Sequence, residues 1–424
     1  MYTEVNKCRI CGNQDLLAFL DLGHQALTGV FPKTDREEIL TGPVELVKCN
    51  EDAGGCGLVQ MRHSYPLSEM YGDNYGYRSG LNQSMVRHLQ DRVRKAKSIA
   101  NPQAGDIILD IGSNDSTTLR SYGDNGFRLI GMDPTGKKFH SFYPAWADLI
   151  PDFFNAAAFH DRFGAEKAKI ITSIAMFYDL EDPTDFMRQI EACLADDGIW
   201  VFEQSYLPLM IERMAYDTVC QEHLSYYCVQ QIQWMADAAG LKILDVELND
   251  INGGSFCVTA AKKSSPHREN SANTQRLIAK EKREGYSGME LFHRFRDDVD
   301  HHRDELCRTV DSIRRSGERV YGYGASTKGN VLLQYCGFTK DEIPAIAEVN
   351  TEKFGRFTPG TKIPIISEAE ARGDCPEYFM VLPWHFRDGI VQRESDYLAS
   401  GGSLLFPLPS VEAVRTQVAR RVAA

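Results

Sequence analysis

DIILDIGSNDSTTLRSY, residues 106–122, opens with an apolar run from Ile107 to Ile111 of strand length and composition. The run breaks at Gly112 and resumes as the polar start of a helix through Ser113, Asn114 and Asp115. The next apolar run, FRLIGMDPT (127–135), ends on Asp133 and Pro134. A glycine-bearing loop after a first strand, with an acid closing the second about 20 residues on, is the layout of a doubly wound cofactor site. Its acid accepts hydrogen bonds from ribose hydroxyls. Two cofactors use this layout, a dinucleotide and S-adenosylmethionine. A dinucleotide needs three glycines so that the backbone can reach its pyrophosphate. Here Gly112 stands alone, with Asn114 and Thr117 at the other two positions. S-adenosylmethionine has no pyrophosphate, and an acidic, single-glycine loop suits its amino-acid end and its sulfonium. The candidate cofactor residues are Asp110, Gly112, Ser113, Asn114, Asp115, Asp133 and Pro134. An α/β domain without a cofactor is the plainer alternative.

Outward from this stretch the alternation continues. AKIITSIAMFYDLEDP (168–183) reads as a strand leading into a loop, FMRQIEACLADDG (186–198) as a helix, and IWVFEQSYL (199–207) as a strand. GLKILDVELND and GGSFCVTAAK close the unit near residue 262. Residues 263–316 are strongly polar with apolar residues at helical spacing, an amphipathic connector. ERVYGYGASTKGNVLLQYCG (318–337) then starts a second strand–glycine loop–helix unit. Its Ser326, Thr327 and Lys328 at a helix start are the groups a phosphate or diphosphate prefers. A salt-bridged surface lysine is the alternative for Lys328. The loop lacks a full P-loop pattern, so hydrolysis of a nucleoside triphosphate is not indicated. Three further strands are expected, in 343–365, 378–390 and 401–409. The fold class is therefore α/β, with a Rossmann-like core at 76–262, a helical connector at 263–316 and a second α/β domain at 317–424.

Residues 1–75 form a different kind of unit. CRIC carries Cys8 and Cys11, and CNEDAGGC carries Cys49 and Cys56. Two cysteine pairs on short, glycine-flanked loops can present four thiolates to one tetrahedral ion, of which zinc is the usual occupant. Four protein ligands leave no open position, so such a metal is structural. Four unrelated buried cysteines are the alternative.

Composition bounds the function. A net charge of −12 argues against a nucleic-acid binder, which needs a basic face. No apolar run approaches the roughly 18–20 residues of a membrane span, and MYTEVNKCRICGNQ has no apolar signal core. Eleven cysteines in a long chain read as reduced thiols or metal ligands. The expectation is a cytoplasmic protein, monomeric or weakly self-associating.

In this order, CRICGN, CGLVQ, YGYRSG, DIGSNDSTTL, YDTVCQEHLSYY, NGGSF, GYGASTKGN and LPWHF resemble the S-adenosylmethionine-dependent nucleotide-sugar C-methyltransferases along essentially the whole chain. The resemblance implies a class I methyltransferase core, zinc in the N-terminal module, and a nucleotide-diphosphate-sugar held between the core and the C-terminal domain. It also implies the chemistry. A base removes the weakly acidic hydrogen next to a ketone, the enolate is held, and its carbon is aimed at the sulfonium methyl.

Relatives of this kind carry a Tyr-His-Glu-His run where this chain has Cys220, Gln221, Glu222 and His223. They also carry a histidine near Asp179, and a glycine where this chain has Ser116. His223 is the first choice for the base, since a neutral imidazole titrates near working pH, with Glu222 beside it. Tyr75 and Tyr77 match a tyrosine-rich segment over the active site, where a phenol can hydrogen-bond an enolate oxygen or simply pack. Asp179 or Tyr178 replaces the distal histidine. The signatures further imply Tyr226, Asn252, Asn330 and His385, with Ser326, Thr327 and Lys328, as substrate-binding residues. The competing readings are a nicotinamide-dependent oxidoreductase, disfavoured by both glycine loops, and a relative that binds nucleotide-sugar without methylating it. A zinc-dependent DNA-binding regulator is disfavoured by the charge.

Overall fold

The computed structural model describes residues 1–70 and 77–415. Strands β1 (Leu16–Ala26) and β2 (Thr41–Cys49) pair antiparallel, and β3 (Val59–Met61) adds to β2. The fourth strand of this N-terminal sheet is Ser225–Tyr226, from far along the chain, which pairs with β3 through Ser225 opposite Gln60 and Tyr226 opposite Val59. That loan ties the cysteine-bearing module to the stretch that carries Glu222 and His223.

Helix α1 (Gln83–Ala100) starts at Asn82, whose side chain accepts from the Ser84 amide, and buries Leu89, Val93, Ala96 and Ala100 along one face. The middle sheet contains β4 (Ile107–Ile111), β5 (Arg128–Met132), β6 (Ala147–Ile150), β7 (Ala168–Ile174), β8 (Leu194–Ser205), β9 (Leu241–Asn249) and β10 (Ser255–Lys262). Their order is β9-β10-β8-β7-β4-β5-β6, and β10 runs antiparallel to both its neighbours. Every residue of β4 is buried, as a parallel strand covered on both faces requires. The chain leaves β4 toward β5 on one side and returns to β7 on the other. A crevice therefore opens at the carboxyl ends of these strands, the place where doubly wound sheets bind ligands.

The loop after β4 turns at Gly112, with φ +70°; a Cβ there would lie 3.2 Å from the Met176 side chain. Ser116 also sits in the left-handed region, at φ +62°. This accounts for the glycine expected there. Serine tolerates the conformation at a cost of roughly 1–2 kcal/mol, and its hydroxyl donates to the Phe142 carbonyl at 3.0 Å, which offsets part of it.

Beyond β10 come α2 (Ser271–Arg283) and α3 (Glu290–Arg315). The connector is not a solvated spacer. Phe292, Phe295, Val299, Leu306, Val310 and Ile313 make a buried stripe along α3, and Phe292 meets Phe19 of β1 at 5.0 Å. The C-terminal sheet holds β11 (Val320–Tyr323), β12 (Ile346–Glu348), β13 (Ile365–Ser367), β14 (Tyr378–Val381), β15 (Ser403–Phe406) and β16 (Glu412–Arg415). The order is β13-β12-β11-β14-β15-β16, parallel except for the last. This sheet has more strands than the sequence announces. Residues 343–365 contain β12 and the start of β13, and β16 is an exposed edge strand of four residues; pieces so short carry no readable period. The switch point here lies between β11 and β14. Gly324 and Pro383 meet there, since a Cβ on Gly324 would lie 2.9 Å from the Pro383 ring.

One apolar cluster joins Leu46, Tyr216, Phe292 and Phe379, so the N-terminal sheet, the stretch around 207–228, α3 and the C-terminal sheet share a core. Among the described residues no helix is long and apolar enough to cross a membrane.

Candidate active site

The two switch points open into one cavity of about 1320 Å³. Pockets for a single small ligand occupy roughly 300–1,000 Å³, so this space has room for two. Its middle-domain wall includes Asp110, Gly112, Ser113, Asn114, Asp133, Pro134, Asp179, Glu222, His223 and Asn252. Its C-terminal wall includes Ser326, Thr327, Lys328 and His385, and Tyr77 stands half-exposed at the mouth.

Asp133 accepts the Asn114 amide at 2.7 Å on one carboxylate oxygen, and the Thr135 amide and hydroxyl at 2.6 and 2.7 Å on the other. The acid at the end of the second strand thus shapes the glycine loop as well as lining the cavity. The Ser113 hydroxyl is bonded to the Tyr143 hydroxyl at 2.7 Å. Asn114 turns its side chain outward, accepting from Ser79 N and donating to Tyr77 O. Asp115, expected at the cofactor, does not line the cavity. Its carboxylate accepts from Gly80 N at 3.0 Å and pairs with Arg78 at 3.5 Å, holding residues 77–81 over the loop. Asp110 does face the space. Burial pushes its carboxyl up to about 7, against a hydrogen bond from Thr172, and its second oxygen has no partner among the described residues.

At the other end, the His223 Nδ1 lies 2.7 Å from the Thr218 carbonyl. A carbonyl only accepts, so Nδ1 carries the hydrogen and Nε2 keeps its lone pair. The ring packs on Tyr178 with centroids 4.2 Å apart. Burial, and after it the Lys328 ammonium, lower the imidazole to about 4, so it is neutral across the working range. Burial raises Glu222 to about 7. One Glu222 oxygen has no partner among the described residues, and a side chain on Gly29 would strike it, because a Cβ there would lie 2.2 Å away.

Glu222 carries a stability cost with a definite sign. Its folded value stands above the usual carboxylate range, so its contribution favours the native state at low pH and is lost as pH rises through about 7. Glu222→Gln should therefore raise Tm at about pH 8.5 and leave it unchanged at about pH 4.5. A gain of about 1 kcal/mol would appear as about 1 °C by calorimetry in a chain of this length. An equal shift at both pH values would show that the carboxyl does not titrate this way.

Two expected substrate residues are directed elsewhere. Tyr226 is buried in the strand that pairs with β3, donates to the Thr218 carbonyl at 3.3 Å, and does not line the cavity. Asn330, fully buried in the helix Thr327–Tyr335, donates to the Thr28 carbonyl at 2.8 Å and pins that helix to the N-terminal module. Tyr75 lies outside the described residues. Cys220 and Gln221 are buried, and the Gln221 amide donates to the Gln25 carbonyl at 2.9 Å.

The wall also holds residues that motif reading passed over. Glu203, at the end of β8, is buried with His88 at 2.5 Å and Asn249 at 3.0 Å. A carboxylate closing an otherwise apolar strand was the readable signal. Phe153, half-exposed beyond β6, offers an aromatic face to the cofactor end. Glu348 ends β12 and accepts the Ala325 amide at 2.8 Å, the same lock that Asp133 makes in the middle domain.

Away from the cavity, Cys8, Cys11, Cys49 and Cys56 bring their sulfur atoms within 4.8 Å of one another. The Cys8–Cys56 and Cys11–Cys49 separations are 3.4 and 3.5 Å. A tetrahedral zinc with bonds of about 2.3 Å spaces its sulfurs about 3.8 Å apart, so the donor set fits the ion.

Three domain families match in sequence. Residues 8–71 match a zinc binding domain, 83–246 a methyltransferase domain and 250–409 the C-methyltransferase C-terminal domain. The chain is a three-domain C-methyltransferase homologue. The C-methyltransferase NovU of Streptomyces niveus is 27% identical over 418 residues, covering 97% of this chain and 98% of that one. Among solved structures, an S-adenosylmethionine-dependent methyltransferase from Clostridium acetobutylicum has a TM-score of 0.32 at 12% identity, over 42% of this homologue and 92% of its own chain. A chain from the complex of the Haloferax volcanii Trm112 methyltransferase activator with a methyltransferase has a TM-score of 0.34 at 13% identity, over 42% and 94%.

Proposed function

We propose that the protein moves a methyl group from S-adenosylmethionine to the ring carbon next to the ketone of a nucleotide-linked 4-keto-deoxysugar. The observation that carries this reading is the single cavity shared by two switch points. One end holds the loop locked by Asp133, and the other faces a C-terminal domain of the kind matched by C-methyltransferases. Bound S-adenosylmethionine supplies an electrophilic methyl. Asp110, Asp133 and the Gly112 loop hold it, and Phe153 gives a flat surface to its adenine. His223 is the base. Its tautomer is set by Thr218, and it needs no prior deprotonation at neutral pH. Glu222, near 7, is the carboxylate that takes the proton on from the imidazolium or accepts a hydrogen bond from a sugar hydroxyl. Asp179, Tyr77 and Asn252 bound the sugar. The four cysteines hold zinc as a structural ion.

The test is mass spectrometry of a panel of nucleotide-linked keto-sugars incubated with S-adenosylmethionine. Gain of one methyl on a carbon next to the ketone supports the reading. Formation of S-adenosylhomocysteine with no carbon-methylated sugar from any panel member would refute it.

A further inference from the structure

Lys328 is not placed where a diphosphate-binding lysine is expected. It is the second residue of the helix Thr327–Tyr335, and its Nζ donates to the Asn252 carbonyl at 2.6 Å, crossing from the C-terminal domain to the middle domain. Asn252 presents that carbonyl from a left-handed backbone, φ +55°, and Gly253 next to it lies against the Trp384 ring. Trp384 donates to Asp217 at 2.8 Å. Four signature stretches therefore converge on one ammonium: NGGSF, LPWHF, GYGASTKGN and YDTVCQEHLSYY. The influence of Lys328 reaches the base. Next after burial, it is the cause that holds both His223 and His385 low. Burial lowers Lys328 itself, opposed by Asp217 and then Cys220.

A phosphate role fits poorly. The loop amide of Ala325 is already taken by the Glu348 carboxylate, which would repel an anion seated there. Of the other cations in the wall, Arg387, Arg393 and Lys353 belong to the C-terminal half, while Arg78, paired with Asp115, precedes α1 and Arg87 lies within it. The His223 ring lies on the Tyr178 phenol, the wall also carries His385 and the carboxyls of Asp179 and Glu222, and Lys328 is the cation whose charge reaches His223. An enolate formed there meets acids unless a cation faces it.

Resting on the function proposed above, we infer that Lys328 is a catalytic residue whose ammonium holds the sugar ketone oxygen as it becomes an enolate. One of its three hydrogens is given to Asn252, and the others are directed at the oxygen. The step balances. The base takes the α-proton, the C–H pair becomes the C=C bond, and the carbonyl π pair moves onto the oxygen beside Lys328. That pair returns as the carbon bonds the methyl, and the C–S pair stays on sulfur.

The experiment separates this step from binding and from transfer. Full-length wild type, Lys328→Met and Lys328→Arg are incubated in D2O with S-adenosylhomocysteine and saturating thymidine-diphosphate 4-keto-deoxysugar, or the panel member that wild type methylates. Deuterium wash-in next to the ketone is read by mass spectrometry, and affinity for the sugar nucleotide by calorimetry. The expected result is a loss of wash-in of about 10²-fold or more in Lys328→Met, partial recovery in Lys328→Arg, and affinity within about twofold of wild type. Wild-type wash-in at saturation combined with weakened affinity would return Lys328 to a phosphate role and overturn the assignment. So would loss of wash-in that Lys328→Arg does not recover at all. Absence of wash-in from wild type on every keto-sugar would instead defeat the functional reading itself.

Discussion

His223→Ala should reduce methyl transfer by about 10³-fold or more, while the affinity for S-adenosylmethionine stays near wild type. General-base catalysis by a positioned side chain contributes about 10²–10⁴-fold, and the glycine loop that holds the cofactor lies on other elements. The pH profile of what remains is diagnostic. Burial lowers His223 to about 4 and raises Glu222 to about 7. His223 is deprotonated at every pH above about 4, so it does not set the acid limb near neutrality. Glu222 does, and wild-type kcat/KM should rise through about pH 7 as that carboxyl ionises. In Glu222→Gln the limb near 7 should vanish, leaving a lower rate whose decline begins only near pH 4. A limb near 7 that survives Glu222→Gln but disappears in a His223 variant would reverse the two roles. Full activity in His223→Ala would remove the imidazole from the reaction.

The contrast between these two neighbours was not legible in the sequence. EH reads as a carboxylate beside an imidazole, each at its usual value. Burial moves the two in opposite directions, helped at His223 by the Lys328 ammonium, while the Thr218 carbonyl fixes the tautomer and Gly29 leaves the slot that buries the carboxylate. The Gly29 contact joins residues far apart in the chain, so no local pattern reports it. Runs such as Ile107–Ile111 were legible because burial on both faces leaves a continuous apolar signature. The strand Ser225–Tyr226 was not, because its two residues are defined by a partner in another module. Asn330 and Tyr226 stood in motifs that do line the cavity, but their own side chains face inward. A motif locates a backbone; it does not say which of its side chains points at the ligand. Lys328 shows the same limit. The strand–loop–helix pattern located it at a helix start, and only Glu348 beneath the loop and Asn252 across the domain gap show where its ammonium goes.

Loss of the metal should stop turnover before it stops cofactor binding. The four cysteines lie off the cavity, yet Arg9, inside CRIC, reaches from the knuckle toward the stretch that carries His223. Its guanidinium donates to the Met61 carbonyl at 2.6 Å and the Ser64 hydroxyl at 2.8 Å, and pairs with Glu181 at 3.3 Å. Met61 N in turn donates to Leu224 O at 2.9 Å, and Leu224 N to Tyr178 O at 2.9 Å. Leu224 follows His223 directly, so the knuckle, β3 and the His223 stretch form one hydrogen-bonded chain. Four clustered thiols, those of Cys8 and Cys49 buried, repel without a cation once ionised, and structural zinc contributes about 10–16 kcal/mol of apparent binding energy in small zinc-dependent domains. Cys49→Ser should therefore lower zinc content and melt the N-terminal module at a lower temperature than the rest. Arg9→Met should retain zinc and S-adenosylmethionine affinity but cut kcat by about 10²-fold, the scale expected when a reacting group is misplaced by about 1 Å. The readouts are metal content by plasma mass spectrometry, calorimetric melting, cofactor affinity and turnover. Equal turnover in Arg9→Met would mean that His223 is placed without the module. A zinc-free Cys49→Ser protein as stable as wild type would mean that the cysteines pack as ordinary core thiols.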